Sequence, residues 1–459
     1  MEKNMSSIAF DSIADSKRYR MSYTRVIALG FLIIIVCGAA ILSLPVSSKS
    51  GEWTSYFDCL FTATSATCVT GLIVYDTYSQ WSVFGQIVIL LMIQTGGIGF
   101  MTIITVVSIF MGRRISLHER KLIMQSAGNT KLSGMIQLVK RIVLGTMLFE
   151  IAGAVLLATS FCPRFGLLRG IYYSVFHSVS AFCNAGFDLM GVIEPYSSLT
   201  HFQSDPVVNI TISSLILIGG LGFMVWNNLL TARLNYKKYL LHTKIVLVGT
   251  LVMVVVPTVL FYIFERNGVL SGLAQGDRWL SAYFQAITPR TAGFNTIDLS
   301  KLSESGSLLT TVLMLIGGNS GSTAGGMKIT TVVVLIFTAF ASARHSGQVT
   351  VFKRRLSENT LRQASAIATV YITAAVLSTM LICAIEPFDF GTVLFEVSSA
   401  IGTVGLTQGI TSLLTVPSQA VLILLMYGGR VGGLTLMLAL AEKREQAPVL
   451  RPREDILIG

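Results

Sequence analysis

Apolar residues occur in long unbroken runs, not on one helical face or at alternate positions. Four runs begin near Val26, Ile136, Ile245 and Ala366, and four more near Val83, Val207, Leu308 and Val421. Such runs suffice to cross a hydrocarbon core of ~30 Å, so the pattern predicts eight spanning helices. The first, residues 24–45, is longer than the apolar stretch of a signal peptide and lacks a small-residue cleavage site, so it counts as a span. Between paired spans lie amphipathic stretches at 56–66, 171–181, 279–288 and 392–400. These are too short to cross and fit re-entrant helices.

Composition agrees, and charge adds orientation. Hydrophobic residues make up 52% of the 459 and charged residues only 12%, too few to solvate a globular surface of this size. Of the 34 Lys and Arg, 25 fall in the N-terminal segment and in the connections after each even-numbered span. Seven lie in the alternate connections, and Lys328 and Arg430 lie inside spans. Basic connections stay in the cytoplasm, so both termini are expected there, in a multi-pass plasma-membrane protein. The net charge of +11 thus reflects topology, and no aromatic-interleaved basic face points to nucleic acid. The six cysteines lack the spacing of zinc or disulfide sites and read as small buried residues. His118, His177, His201, His242 and His345 form no ligand cluster and are expected in solvent or at interfaces.

Self-comparison changes how the glycines are read. Gly71, Gly186, Gly293 and Gly405 each follow one of the short stretches and lie 115, 107 and 112 residues apart, about a quarter of the chain. Small or β-branched pairs precede them: Val69 and Thr70, Asn184 and Ala185, Thr291 and Ala292, Thr403 and Val404. A second glycine pair marks each following span, at Gly96-Gly97, Gly219-Gly220, Gly317-Gly318 and Gly428-Gly429. Single matches occur wherever membrane helices pack closely; four in register imply a repeated unit. The expected fold is an all-α integral membrane protein, with four parallel helix–pore-loop–helix repeats around one pseudo-fourfold pore and eight transmembrane helices. Its parts are a cytoplasmic N-terminus (1–23), repeats at 24–112, 113–233, 234–344 and 345–443, and a cytoplasmic tail (444–459).

A dehydrating potassium ion needs oxygens in place of its water, and rings of backbone carbonyls supply them. Pointing carbonyls at an axis takes backbone conformations that glycine tolerates. None of the residues beside the four glycines is ionisable, so the carboxylate ring that suits divalent ions is missing. The short helices direct their partially negative C-termini at the pore, which favours a cation there.

The glycine loops, the glycine-marked second helices and the run 317–328 resemble the Trk/Ktr/HKT superfamily of potassium transporters over nearly the whole chain. The chain is most similar to the membrane subunit of a bacterial Ktr system, because the first repeat starts almost at the N-terminus and leaves no room for the extra helix pair of Trk-type subunits. The resemblance implies potassium uptake through a selectivity filter made of Val69, Thr70, Gly71, Asn184, Ala185, Gly186, Thr291, Ala292, Gly293, Thr403, Val404 and Gly405. Sodium-preferring relatives carry serine where Gly71 stands. It further implies a homodimer with the tail 448–459 at its interface, and a cytoplasmic ring of nucleotide-binding, RCK-type subunits. The chain is expected to be no enzyme and to bind no organic cofactor; sodium as an activator stays open.

Repeat three departs from the others. Gly317, Gly318, Gly321, Gly325 and Gly326 fall within ten residues, with Asn319, Ser320, Ser322, Thr323 and Ala324 among them. At ~1 kcal/mol per glycine against helix, the run predicts a helix broken mid-membrane. Its freed backbone groups need protein or water partners, which places a gating loop beside the pore. Arg430 is expected to donate to the loop carbonyls, and Lys328 to hold the far end of the loop.

Other readings fit less well. The segment 321–328 lacks the lysine of a phosphate-binding loop, having Met327 in its place, and no strand precedes it. A secondary carrier coupled to sodium or protons by symport predicts inverted repeats and an intramembrane acid. The repeats here are parallel, and Glu150 is the one acid placed well within a span. The basic clusters 113–121 and 353–355 suit lipid head groups or docking of the regulatory ring.

Overall fold

The computed structural model describes residues 23–99, 102, 135–233, 235–346 and 348–432. Residues 1–22, most of the basic connection from 113 onward, including Arg113 and Arg114, and the tail 444–459 lie outside the described residues.

The first quarter comprises α1 (Tyr23–Leu42), α2 (Tyr56–Cys68), the single turn α3 (Thr77–Gln80) and α4 (Val83–Ile98). The second holds α5 (Met135–Phe165), α6 (Leu167–Phe182), α7 (Pro206–Leu221) and α8 (Phe223–Ala232). In the third are α9 (Leu241–Glu265), α10 (Gln275–Ile287), α11 (Glu304–Leu315) and α12 (Ile329–Ala343), and in the fourth α13 (Glu358–Ile385), α14 (Phe390–Gly402) and α15 (Val416–Val431). The chain is predominantly helical. Among the described residues the strands are one hairpin, β1 (Thr350–Val351) with β2 (Arg354–Arg355), which turns through left-handed Phe352 and Lys353 and leaves both arginines exposed.

Among the described residues, four helices are long and apolar enough to cross a bilayer: Arg25–Leu42, Ile136–Phe165, Leu241–Glu265 and Glu358–Ile385. The second helices of quarters two and three are broken, and those of quarters one and four are described only as far as Gly99, with Thr102, and Gly432. α7 and α8 meet at 89°, α11 and α12 are parted by the loop 316–328, and α4 and α15 stop after 16 residues. The parting of α11 from α12 is the mid-membrane break that the glycine run of repeat three predicts, whereas the bend between α7 and α8 was not expected. Gly99, Gly222 and Gly432, each three residues beyond a marker glycine, terminate α4, α7 and α15 with φ of 88°, 97° and 92°. Such a φ ends a helix and comes without strain only to glycine. Hydropathy is blind to it.

Each first helix packs on its own short helix: α1 on α2, α5 on α6, α9 on α10, α13 on α14. Each second helix reaches the short helix of the next quarter: α4 touches α6, α7 touches α10, α11 touches α14, and α15 returns to α2. The chain thus closes on itself. Fully buried Phe61, Phe176, Phe284 and Phe395 fill equivalent places on the short helices. Leu144, Leu148, Ile151 and Val155 of α5 are more than half exposed, an apolar face suited to lipid. Of the cysteines, Cys59, Cys68 and Cys183 are buried as expected, whereas Cys37 is exposed.

Side-chain staples tie the C-terminal end of each first helix to the start of the second. The Ser82 hydroxyl, which caps α4, donates to Val46 O at 2.7 Å, and Ser160 donates to Asp205, the cap of α7. Glu386 accepts from the backbone N–H and hydroxyl of Thr415 at 2.8 and 2.6 Å. Fully buried Glu265 accepts from the backbone N–H (3.0 Å) and the hydroxyl (2.6 Å) of Ser303, the cap of α11. Replacing Glu265 with Ala leaves both donors orphaned beside a cavity, and is expected to cost about 3 kcal/mol. Thermal unfolding of the detergent-solubilised protein reads the loss; an unchanged midpoint would refute the staple.

Candidate functional site

The four glycine loops share one backbone conformation. Val69, Asn184, Thr291 and Thr403 adopt φ of 59°, 60°, 68° and 53°, and the glycines two residues on adopt 96°, 70°, 78° and 94°. Left-handed backbone is costly for β-branched Val69, Thr291 and Thr403, so it needs compensating contacts. The short helices supply those contacts. Val69 and Thr70 N–H donate to Ala66 O and Ser65 O at 3.2 and 2.8 Å, and Thr403 and Val404 repeat the arrangement on Ala400 O and Ser399 O at 3.1 and 2.8 Å. In the second quarter Asn184 and Ala185 donate to Ala181 O and Ser180 O. The hydroxyls of Ser65 and Ser399 then accept from Gly71 N–H and Gly405 N–H, both at 3.0 Å. Quarter three has Ile287 where the others have serine. There the Thr288 hydroxyl instead holds Phe294 O.

The loops close a ring. A Cβ built on Gly71 falls 2.6 Å from Ala185 O, one on Gly186 2.8 Å from Ala292 O, and one on Gly293 2.5 Å from Val404 O. On Gly405 it falls closer still to Thr70 O. Each glycine thus abuts the carbonyl that precedes the glycine of the next quarter, and the fourth meets the first. All twelve residues of the expected filter are buried and come together here. The marker glycines have a related purpose, since a Cβ on Gly96, Gly219 or Gly429 would strike the backbone carbonyl of Thr67, Phe182 or Ile401 at a short-helix end.

Between α11 and α12 the loop is pinched at its base, where Ile316 and Met327 bridge and Gly317 N–H donates to Met327 O at 2.8 Å. Asn319 and Thr323 N–H donate to Gly220 O and Gly219 O, Phe223 N–H donates to Gly321 O, and the Thr323 hydroxyl donates to Phe182 O at 3.2 Å. The freed backbone of Ser320, Gly321 and their neighbours therefore rests on the α7–α8 break. Lys328 Nζ holds Ala324 O and Gly325 O at 2.7 and 3.0 Å. The Arg430 guanidinium donates to Thr323 O in the loop and to Gly96 O and Gly97 O in α4. Gly325 and Gly326 lie against Thr403 and Gly402, at the start of a glycine strand. The Ser322 hydroxyl folds back on Asn319 O at 2.6 Å.

Beyond the glycines, at the other end of the strands, lies a cavity of about 390 Å³ lined by all four of them. The loop 316–328 and this cavity therefore flank the ring on opposite sides.

Several residues escaped the sequence reading. His177 is fully buried, not interfacial: its Nδ1 bonds Tyr173 O at 2.7 Å, and its Nε2 accepts from Leu189 N–H at 3.3 Å, so it tethers the segment after Gly186. Glu396 holds Thr411 in the corresponding place of quarter four. Glu150, already placed within a span by the sequence, accepts from Gln94 at 3.2 Å. The missed signal was the serine six residues before Gly71, Gly186 and Gly405.

A model of the TrkH family of cation transport proteins matches residues 1–450. The potassium/sodium uptake protein NtpJ of Enterococcus hirae is 40% identical over 451 residues, covering 96% of this chain and 98% of the relative. Ktr system potassium uptake protein B of Bacillus subtilis is 37% identical over 445 residues, with the same coverage. Among solved structures, the potassium transporter TrkH of Vibrio parahaemolyticus superposes with a TM-score of 0.73 at 18% identity, covering 92% of this chain and 86% of that one.

Proposed function

Because this chain belongs to the TrkH family of cation transport proteins, we propose that it takes potassium into the cell through the ring of glycine loops, with the loop 316–328 as its gate. It is a potassium-class cation transporter of the Trk/Ktr type and not an enzyme. The observation that carries the pore reading is the cyclic closure of Gly71, Gly186, Gly293 and Gly405 on one another's neighbouring carbonyls. Four equivalent backbone turns around one axis give an ion equivalent oxygens from every side, the arrangement by which carbonyl filters replace hydration. The Arg430 bonds to Thr323, Gly96 and Gly97 support the gate, because they hold the loop across the helix-end side of the ring.

Partners follow from the relatives. A protein similar to a Ktr system subunit works with other Ktr-type subunits. The proposed arrangement is a homodimer docked on a cytoplasmic ring of RCK-type nucleotide-binding subunits, with the exposed Arg354 and Arg355 among the contacts. The Enterococcus relative is named for potassium and sodium, which supports sodium as a second ion or an activator.

Flux of potassium and rubidium into liposomes holding the purified protein, with and without a Ktr-type regulatory subunit, tests this reading. Potassium-selective flux that the regulator raises, with unitary current steps in planar bilayers, is the expected result. Saturating counter-exchange without unitary steps would replace the channel by a carrier.

A further inference from the structure

We propose that Asp188 forms an outer cation site directly above the glycine ring, and thereby sets the affinity with which the pore takes up potassium. The inference rests on the pore reading above. Two residues beyond each glycine, the strands place Ile73, Asp188, Asn295 and Thr407, and all four line the 390 Å³ cavity together with the glycines themselves. This second ring is chemically unequal: one apolar side chain, one carboxylate, one amide and one hydroxyl. The lone negative charge in the layer next to the filter lies on the strand of quarter two.

Asp188 is held in place without being neutralised. Its Oδ1 accepts from Met190 N–H at 2.9 Å, and Ser198 also bonds the carboxylate. Asp298 lines the same cavity, but Ser300 and the Lys301 ammonium at 2.9 Å compensate its charge. From the turn α3, Asp76 adds a second negative charge near Asp188, its own oxygens being taken by Ser79 and Tyr196. Glu194 pairs with His201 on the adjoining segment, and His177 faces the backbone of Leu189. Among the described residues no basic side chain forms an ion pair with Asp188. A single uncompensated carboxylate attracts a monovalent cation without trapping it, as conduction requires.

Rubidium uptake by cells lacking their own potassium uptake, measured at one fixed pH over a range of rubidium concentrations, reads the effect. Asp188→Asn keeps the Met190 acceptor and should raise the half-saturating concentration about tenfold, while Asp188→Glu should stay near the wild-type value. An unchanged half-saturation in Asp188→Asn would overturn the outer site. If Asp188→Asn carries no flux, thallium binding to the purified variant decides the matter: binding about tenfold weaker than wild type supports the site, and unchanged binding overturns it. Gly186→Ser in the same assay separates the two claims. If it alters potassium over sodium preference while Asp188→Asn behaves as wild type, the outer site falls and the pore stands. If the preference survives serine at Gly186 and at the other three ring glycines alike, the pore reading itself falls.

Discussion

Replacing any ring glycine with serine is expected to cut potassium over sodium discrimination at least tenfold while leaving the protein in the membrane. Two costs combine. An L-residue at φ of 70–96° is strained by about 1–3 kcal/mol, and 1.4 kcal/mol already corresponds to a factor of ten. The new Cβ also meets a backbone carbonyl that cannot rotate away as a flexible side chain would, so the carbonyl itself must move. The severity should follow the distances. Gly405→Ser, with the closest approach, should be the most damaging, and Gly186→Ser, at 2.8 Å from Ala292 O, the mildest. Competition of sodium against rubidium uptake in a potassium-uptake-deficient cell measures the preference. Intact preference in all four variants would sink the filter.

The second large effect concerns the gate. Deleting residues 320–324, or changing Arg430 to Ala, should raise potassium flux through the chain about tenfold in the absence of any regulatory subunit. Arg430 reaches three carbonyls, one in the loop and two in α4. Hydrogen bonds from a charged donor are worth roughly 1.5–3 kcal/mol each, ample to bias a closed position by the 1.4 kcal/mol that tenfold requires. The deletion also removes the contacts of Thr323 with Phe182 O and Gly219 O. Rubidium flux in liposomes, normalised to inserted protein, is the measurement; flux that stays level or falls in both variants would remove the loop from gating.

What the sequence disclosed, and what it hid, divides along physical lines. Glycine carries positional meaning, so the four loops, the paired markers and the break of repeat three stand out from spacing alone. The left-handed turns at Val69, Thr291 and Thr403 do not, because β-branched residues argue locally against that conformation and the compensating contacts lie with the short helix. The endings at Gly99, Gly222 and Gly432 were hidden because a hydropathy window averages across a kink. The expectation that Arg430 grips the loop carried over to the structure in its bond to Thr323 O, yet its hold on Gly96 joins residues 334 apart. No local pattern encodes that pairing. Asp188 was overlooked because a single acid after a glycine acquires meaning only when four strands converge.

The ring has a consequence for biosynthesis. Ribosomes make the chain from the first quarter to the fourth, and Gly405 is the residue that seals the circle against Gly71. Until the last quarter has been inserted, three strands face an open side, and the carbonyl of Thr70 lacks the neighbour that completes its wall. A product truncated before α14 therefore lacks the strand that closes the ring, and Gly71 of the first quarter is left without the neighbour that Gly405 supplies.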